Sequence, residues 1–195
     1  MNFQALPTDI KNKYQRAAEK NLLSVDILAI KDDALHTLIW PVIRIFELNL
    51  RFFLNEYISR KFNDSKWWRS ERLIYKEHMA RSPSSDNPYE VINLGFLCLL
   101  FSDRYHTNLW APYLSKALPN WPSTRRELHL QFKSLVQIRN RIAHHEIIYN
   151  YPLIELGDFA QQIMLDVNSE AAKTIKEMKI AEKIQAIKLG SGGGI

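Results

Sequence analysis

Glycine is almost absent from the body of this chain. Four of its six glycines lie in the last six residues, and only Gly95 and Gly157 precede them. Sheets joined by tight hairpins need residues with positive φ, and neither an Asn-Gly nor an Asp-Gly pair occurs here. Glycine-rich phosphate-binding loops are also excluded, because only Gly95 and Gly157 lie outside the tail. The glycine distribution therefore predicts an all-α domain.

Length and composition fit one such domain. The chain has 195 residues, of which 46% are hydrophobic, enough for one sizeable core. We expect a single helical domain over residues 1–189 and a flexible glycine-rich tail over residues 190–195. The single cysteine, Cys98, excludes a disulfide within the chain and fits a reducing cytoplasm. The longest apolar stretch, Leu94–Phe101, is far shorter than the roughly 20 residues of a membrane span.

The charge balance is compatible with a polyanionic partner. Lys and Arg number 26 against 21 Asp and Glu, which gives a formal net charge of +5. A moderate excess of this kind occurs both in nucleic-acid-binding proteins and in ordinary soluble domains.

Apolar spacing predicts helices in the first half of the chain. Residues Pro7–Lys31 fit one helix or two short ones. Asp32 and Asp33 offer an N-cap for a long helix over Ala34–Phe62, with a kink or a restart at Pro41. A break follows at Asn63–Ser65.

The second half predicts several further helices. Thr124 and Glu127 have capping-box spacing, which predicts a helix from Arg125 to about His145. The segment Arg81–Tyr89, rich in Pro and Ser, predicts a surface loop. The other expected helices are Lys66–Met79, Glu90–Phe101, Leu109–Leu118 and a last amphipathic helix over about Asp158–Ile187.

An arginine lies in the middle of the apolar face of the Arg125–His145 helix. On a helical wheel, Arg139 falls between Leu128 and Phe132. Because arginine keeps its charge, it needs a fixed partner, or its face must open into a cleft. Pairing with Glu47 on the long second helix would make Arg139 a structural strut; an open cleft would make it a ligand-binding group.

The neighbours of Arg139 favour a phosphodiester site. Asn140 and His144 share one helix face, as do Arg141 and His145. A guanidinium can hold phosphate oxygens with two hydrogen bonds, and an imidazole can transfer a proton near neutral pH.

The same stretch resembles a known family motif. Residues 139–144 look like the R-N-x-x-x-H form of the R-x4-6-H motif of HEPN domains, and the string RNRIAHHE resembles the Abi-like (abortive infection) branch. The segment Ile39–Leu54, with Glu47, Leu50 and Arg51, is similar to that family's early E-x-x-L-R helix. Leu94-Gly95-Phe96 and Leu109-Trp110 are similar to its FGFW…LW region, although Leu94 and Leu97 replace the outer aromatics.

The resemblance implies a fold and an activity. It implies a HEPN-like helical bundle that forms a homodimer and acts as a metal-independent endoribonuclease. RNA is then the substrate, and the protein is a toxin or abortive-infection effector in phage defence, restrained by an RNA or a protein antitoxin. No cofactor is implied.

Each residue of the motif receives an expected role. His144 is the general base or acid, Arg139 stabilises the phosphorane charge, and Asn140 orients the phosphate or His144. Arg141 and His145 support the site or bind substrate. Glu47 and Arg51 form an i, i+4 salt bridge or line the cleft. No metal site is predicted, because His144-His145-Glu146 lacks H-E-x-x-H spacing.

Two questions stay open at this stage. Arg139 and His144 lie about 140° apart on a regular helix, so either the helix distorts near its end or two chains form a shared cleft across a two-fold axis. The chain could also be a non-catalytic helical module that binds RNA or a protein.

Overall fold

The second helix of the chain is the axis on which the other helices pack. The computed structural model describes residues 7–70 and 92–190, and regular secondary structure within these ranges is entirely helical. Helix α1 spans Thr8–Asn21, and α2 spans Val25–Phe62. The further main helices are α3 (Leu94–Leu100), α4 (Arg125–Ala143), α5 (Leu153–Val167), α6 (Ser169–Glu177) and α7 (Ile180–Leu189). The predicted all-α helical bundle is confirmed for these residues.

A cluster of phenylalanines joins four parts of the bundle. Phe132 of α4 stacks on Phe101, which follows α3, with ring centroids 4.5 Å apart. Its ring also contacts Phe46 of α2 at 5.6 Å and Phe159 of α5 at 5.2 Å. Since Phe132 is completely buried, this cluster fixes α4 against the core.

Helix α2 begins earlier than the sequence predicts. Its N-cap is Ser24, whose hydroxyl accepts a hydrogen bond from the Ile27 amide, so the predicted N-cap at Asp32 or Asp33 is wrong. Asp32 instead lies inside the helix and is fully buried. The helix continues through Pro41, which excludes a restart there, whereas a kink stays a prediction.

The middle of the chain is less regular than predicted. Asn63 ends α2 in the left-handed conformation, which confirms the predicted break, and a short 3-10 turn, Trp67–Arg69, follows. Residues 71–91, which contain most of the predicted Lys66–Met79 helix and the Arg81–Tyr89 loop, lie outside the described residues. Most of the segment predicted as an α-helix over Leu109–Leu118 is a π-helical stretch, His106–Leu114, and a short α-helix, Ser115–Ala117, follows it.

The C-terminal region forms three helices where one was predicted. The first break is at Asn168, whose side-chain oxygen accepts hydrogen bonds from the Glu170 and Ala171 amides and so starts α6. The second break is at Lys179, whose left-handed conformation (φ 51°) interrupts the helical path before α7 begins. The side-chain amide of Asn168 also donates to the side-chain oxygen of Asn49 on α2 at 2.8 Å. Periodicity alone did not show these caps, because the apolar pattern continues across them.

The start of α4 is as predicted. The Thr124 hydroxyl accepts from the Glu127 amide, and the Glu127 carboxylate accepts from the Thr124 amide, which completes the capping box. The helix ends at Ala143, so His144 and His145 lie beyond its last turn.

Candidate active site

The two adjacent histidines lie in a reversal of the chain at the end of α4. The Glu146 amide donates to the Arg141 carbonyl at 2.8 Å, and the His145 amide donates to the Ile142 carbonyl at 3.1 Å. These two bonds define a Schellman motif, in which the residue at the position of His145 must be left-handed. His145 has φ 54°, a conformation that glycine normally provides. The termination of α4 therefore places both imidazoles outside the regular helix.

A small cavity lies beside these imidazoles. Its volume is about 180 Å³, and it separates α1 from the chain reversal. His144, His145 and Glu146 line one side, and Asp9 and Lys13 of α1 line the other. Both histidines are solvent-exposed, so a ligand can reach them from outside.

A basic groove continues from this cavity along α1. The groove has a volume of about 320 Å³, and Lys13 and Ile147 line both spaces. Lys13, Arg16 and Lys20 project into it from α1 at i, i+3 and i+7, which places them on one helix face. The sequence analysis missed these three residues; their spacing on an amphipathic helix was the available signal.

Arg141 holds the reversal in place. Its Nη1 atom lies 3.0 Å from the Glu146 carboxylate, and its Nε atom donates to the Ile147 carbonyl at 3.0 Å. The guanidinium also covers the Tyr151 ring, with Cζ 4.8 Å from the ring centroid. Arg141 therefore fixes the segment that carries the histidines, while one side of it borders the basic groove.

Arg139 is partly buried one turn before the histidines. The buried face of α4 consists of Leu128, Phe132, Leu135, Ile138 and Ile142. Arg139 lies within this arc, as predicted, at its C-terminal end. Its Nη1 atom lies 3.3 Å from the side-chain oxygen of Asn140, and its buried Nε atom has no hydrogen-bond partner among the described residues.

Arg139 and His144 do not line a common cavity within one chain. The cavity beside His144 includes neither Arg139 nor Asn140. Arg139 also forms no ion pair with any described residue, Glu47 included. The strut that the sequence allowed, a pair between Arg139 and Glu47, is therefore absent from the described part of the chain. Glu47 pairs with Arg51 along α2, which confirms the i, i+4 salt bridge.

A buried carboxylate beneath the reversal was missed by the sequence analysis. Asp32 Oδ1 accepts the Ile148 amide at 2.8 Å, and Oδ2 accepts the Tyr14 hydroxyl at 3.0 Å. His36 Nε2 lies 3.1 Å from the Glu146 carbonyl oxygen and 3.4 Å from Asp32 Oδ2. Both partners of this nitrogen are acceptors, so it carries a proton. Asp32 thus ties α1, α2 and the reversal together.

The electrostatics of Tyr14 follow from this arrangement. Burial, together with the adjacent Asp32 carboxylate, raises the pKa of Tyr14 above its ordinary value of 10.0. The phenol therefore stays a hydrogen-bond donor to Asp32 throughout the neutral range.

The described residues contain neither a metal site nor a membrane span. No group of three or more His, Cys, Asp or Glu side chains in residues 7–70 and 92–190 is placed to hold a metal ion. In the same ranges, none of the helices combines the length and the apolar character that crossing a bilayer requires.

Comparison of this chain with known families, proteins and structures finds no match. The resemblance to the Abi-like branch of the HEPN domains therefore depends on the motif residues themselves.

Proposed function

We propose that this chain is a metal-independent endoribonuclease of the Abi-like HEPN type, acting in the cytoplasm as a toxin or abortive-infection effector in phage defence. The observation that carries the proposal is the placement of two exposed imidazoles, His144 and His145, at a cavity that opens into a cationic groove. Imidazoles supply and remove protons near neutral pH, and cations attract a phosphate backbone.

The reaction needs no nucleophile from the protein. One imidazole removes the proton from the ribose 2′-OH, and the resulting oxygen attacks the adjacent phosphorus. The bond from phosphorus to the 5′-oxygen breaks, and a second acid returns a proton to that oxygen. The products are a 2′,3′-cyclic phosphate and a 5′-OH, so DNA is not cleaved.

Adjacent residues fit the remaining roles. His144 is the general base or acid, and His145 is the candidate for the second proton transfer. Arg139 has no anionic partner among the described residues, so its charge is available to the phosphorane in the transition state. Asn140, within hydrogen-bond distance of Arg139, orients that guanidinium or the phosphate.

The separation of Arg139 from the His144 cavity supports a shared site in a homodimer. If two copies pack their α4 ends across a two-fold axis, Arg139 of each copy can approach His144 of the other. Dimerisation is then a condition of activity.

The decisive experiment is cleavage of total RNA in EDTA. We expect the wild-type protein to cleave without metal and the His144→Ala variant to lose at least about 100-fold in rate, the usual contribution of a general acid or base. His106→Ala removes another exposed histidine, in the π-helical segment, and should cleave like the wild type. Equal cleavage by wild type and His144→Ala would reject the site, and a requirement for added metal would reject the mechanism.

The alternative function is a non-catalytic helical module that binds RNA or a protein. The absence of Arg139 from the His144 cavity favours it if the protein does not dimerise. Tight RNA binding without cleavage, unchanged by His144→Ala, would establish this alternative.

A further inference from the structure

A second basic cavity among the described residues lies away from the histidines. It has a volume of about 540 Å³ and is formed by α3, the turn after it and the outer face of α4. This volume falls within the range of small-molecule sites and far exceeds what a single phosphate ion needs. None of the residues proposed for RNA cleavage lines it.

Positive charge dominates the walls of this cavity. Arg125, Arg126 and Lys133 come from one stripe of α4, Arg104 comes from the turn after α3, and Asp103 is the single carboxylate among the lining residues. Asp103 already accepts from Arg125 Nη2 at 2.7 Å, while Nη1 of the same arginine donates to the Phe101 carbonyl. Arg126 and Lys133 are exposed and form no ion pair with a described residue. Cations that line one cavity favour a bound anion.

His129 lies between these cations on α4. Partial burial, with the charges of Lys133 and Arg125, lowers the pKa of His129 below its ordinary value of 6.5. The ring is therefore neutral at physiological pH and can donate one hydrogen bond. An anion bound beside it would reverse the local potential and raise that pKa.

Apolar side chains complete the cavity. Leu130 of α4 is 53% exposed, and Leu99 of α3 and Tyr105 also line the space. An exposed leucine among cations offers a surface for a flat apolar group next to a phosphate.

We propose that this cavity binds a nucleoside monophosphate, with Arg126 and Lys133 holding the phosphate and Leu130 contacting the base. The inference does not depend on the RNA cleavage proposed above, since the two sites share no residue. Free phosphate and the phosphate of an RNA backbone carry the same chemistry, so the test separates them.

The test follows the His129 imidazole by NMR, with its signal assigned through His129→Gln. At constant ionic strength we expect AMP, and more weakly inorganic phosphate, to shift the signal and raise the pKa of His129, whereas adenosine alone does neither. Arg126→Ala/Lys133→Ala should weaken AMP binding at least about tenfold. Lys173→Ala/Lys176→Ala removes two exposed lysines of α6 and should bind AMP like the wild type.

Each other outcome overturns the proposal. A His129 signal that does not respond to AMP shows that the cavity does not bind a nucleoside monophosphate. Equal weakening in both double variants means that only net charge matters. A response to single-stranded RNA but not to AMP makes the cavity an RNA contact. His144→Ala should retain AMP binding, so failure of the nuclease leaves this result unaffected.

Discussion

At the scale of single residues, His145 occupies a position that glycine usually fills. Its φ of 54° and the two Schellman hydrogen bonds at the end of α4 define this position. A left-handed conformation costs an L-residue about 1–2 kcal/mol, and backbone cost of this kind concentrates at functional sites. His145 therefore lowers the stability of the fold, as do the left-handed residues Leu22 and Lys179 at other helix ends.

The cost predicts that His145→Gly stabilises the protein. We expect the free energy of unfolding to rise by about 0.5–1 kcal/mol, measured by urea denaturation, because glycine adopts positive φ without a clash. The matched control is His144→Gly, which should destabilise because His144 has φ −100° and gains nothing from glycine. A loss of stability in His145→Gly would show that the imidazole itself holds the reversal.

The second residue-scale prediction concerns pH. Because its pKa is lowered on folding, His129 binds fewer protons in the folded state than in the unfolded state. Stability therefore rises with pH up to about the unfolded value near 6.5 and falls below it. His129→Gln should flatten the dependence of unfolding free energy on pH between about pH 5 and 7, as measured by urea denaturation at several pH values. An unchanged dependence of unfolding free energy on pH in His129→Gln would contradict the lowered pKa of His129.

At the scale of elements, the Asp32 carboxylate connects three segments that carry or border the candidate site. It receives hydrogen bonds from the Tyr14 hydroxyl on α1 and from the Ile148 amide after α4. Removal of a buried acceptor leaves its donors unsatisfied, at about 1–3 kcal/mol each. The chain reversal that carries His144 and His145 therefore depends on Asp32, which lies in a different helix, α2.

We predict that Asp32→Ala lowers the free energy of unfolding by about 2–4 kcal/mol, since two buried donors lose their acceptor. Tyr14→Phe should cost about 1 kcal/mol, and the double variant should cost less than the sum, because one interaction is removed twice. Asp33→Ala, at an exposed neighbouring position, should change stability by less than about 0.5 kcal/mol. Additive effects of Tyr14→Phe and Asp32→Ala in denaturant unfolding would contradict the coupling.

The elements also show what the sequence could predict. The capping box at Thr124 and the break at Asn63 were predictable because a few adjacent residues determine them. The start of α2 was not, because Ser24 is a common residue and the Asp32–Asp33 pair offered a stronger local cap signal. Asp32 is buried because of its tertiary contacts with Tyr14 and Ile148, which lie 18 and 116 positions away along the sequence.

The candidate site was predictable in its residues more than in its geometry. The string from Arg139 to His145 marked the segment, and a charged residue on the apolar face of α4 signalled that Arg139 needed explanation. The same argument applied to Asp32, which shares the apolar face of α2 with Leu28, Leu35 and Ile39. The positions of the cavity and the basic groove depend on how α1 packs beside the reversal, which spacing along the chain does not encode.

At the scale of the whole molecule, two separate cationic regions lie on one bundle. The groove on α1 leads to the histidines, and the larger cavity on the outer face of α4 lies apart from them. Arg139 belongs to neither, although its Nε atom is buried and lacks a partner among the described residues. Within one copy, this guanidinium does not line the cavity beside His144. A second copy packed against α4 would bring its own His144 towards it.

A shared site predicts that two inactive variants restore activity together. In a dimer of one Arg139→Ala chain and one His144→Ala chain, one composite site has both substitutions and the other has neither. Random mixing after joint refolding makes about half of the dimers mixed, each with one intact site, so we expect about a quarter of wild-type RNA cleavage in EDTA. Each variant refolded alone should be inactive. If each site lies within one chain, every site in the mixed dimer lacks a residue and the mixture stays inactive, which would contradict the shared cleft.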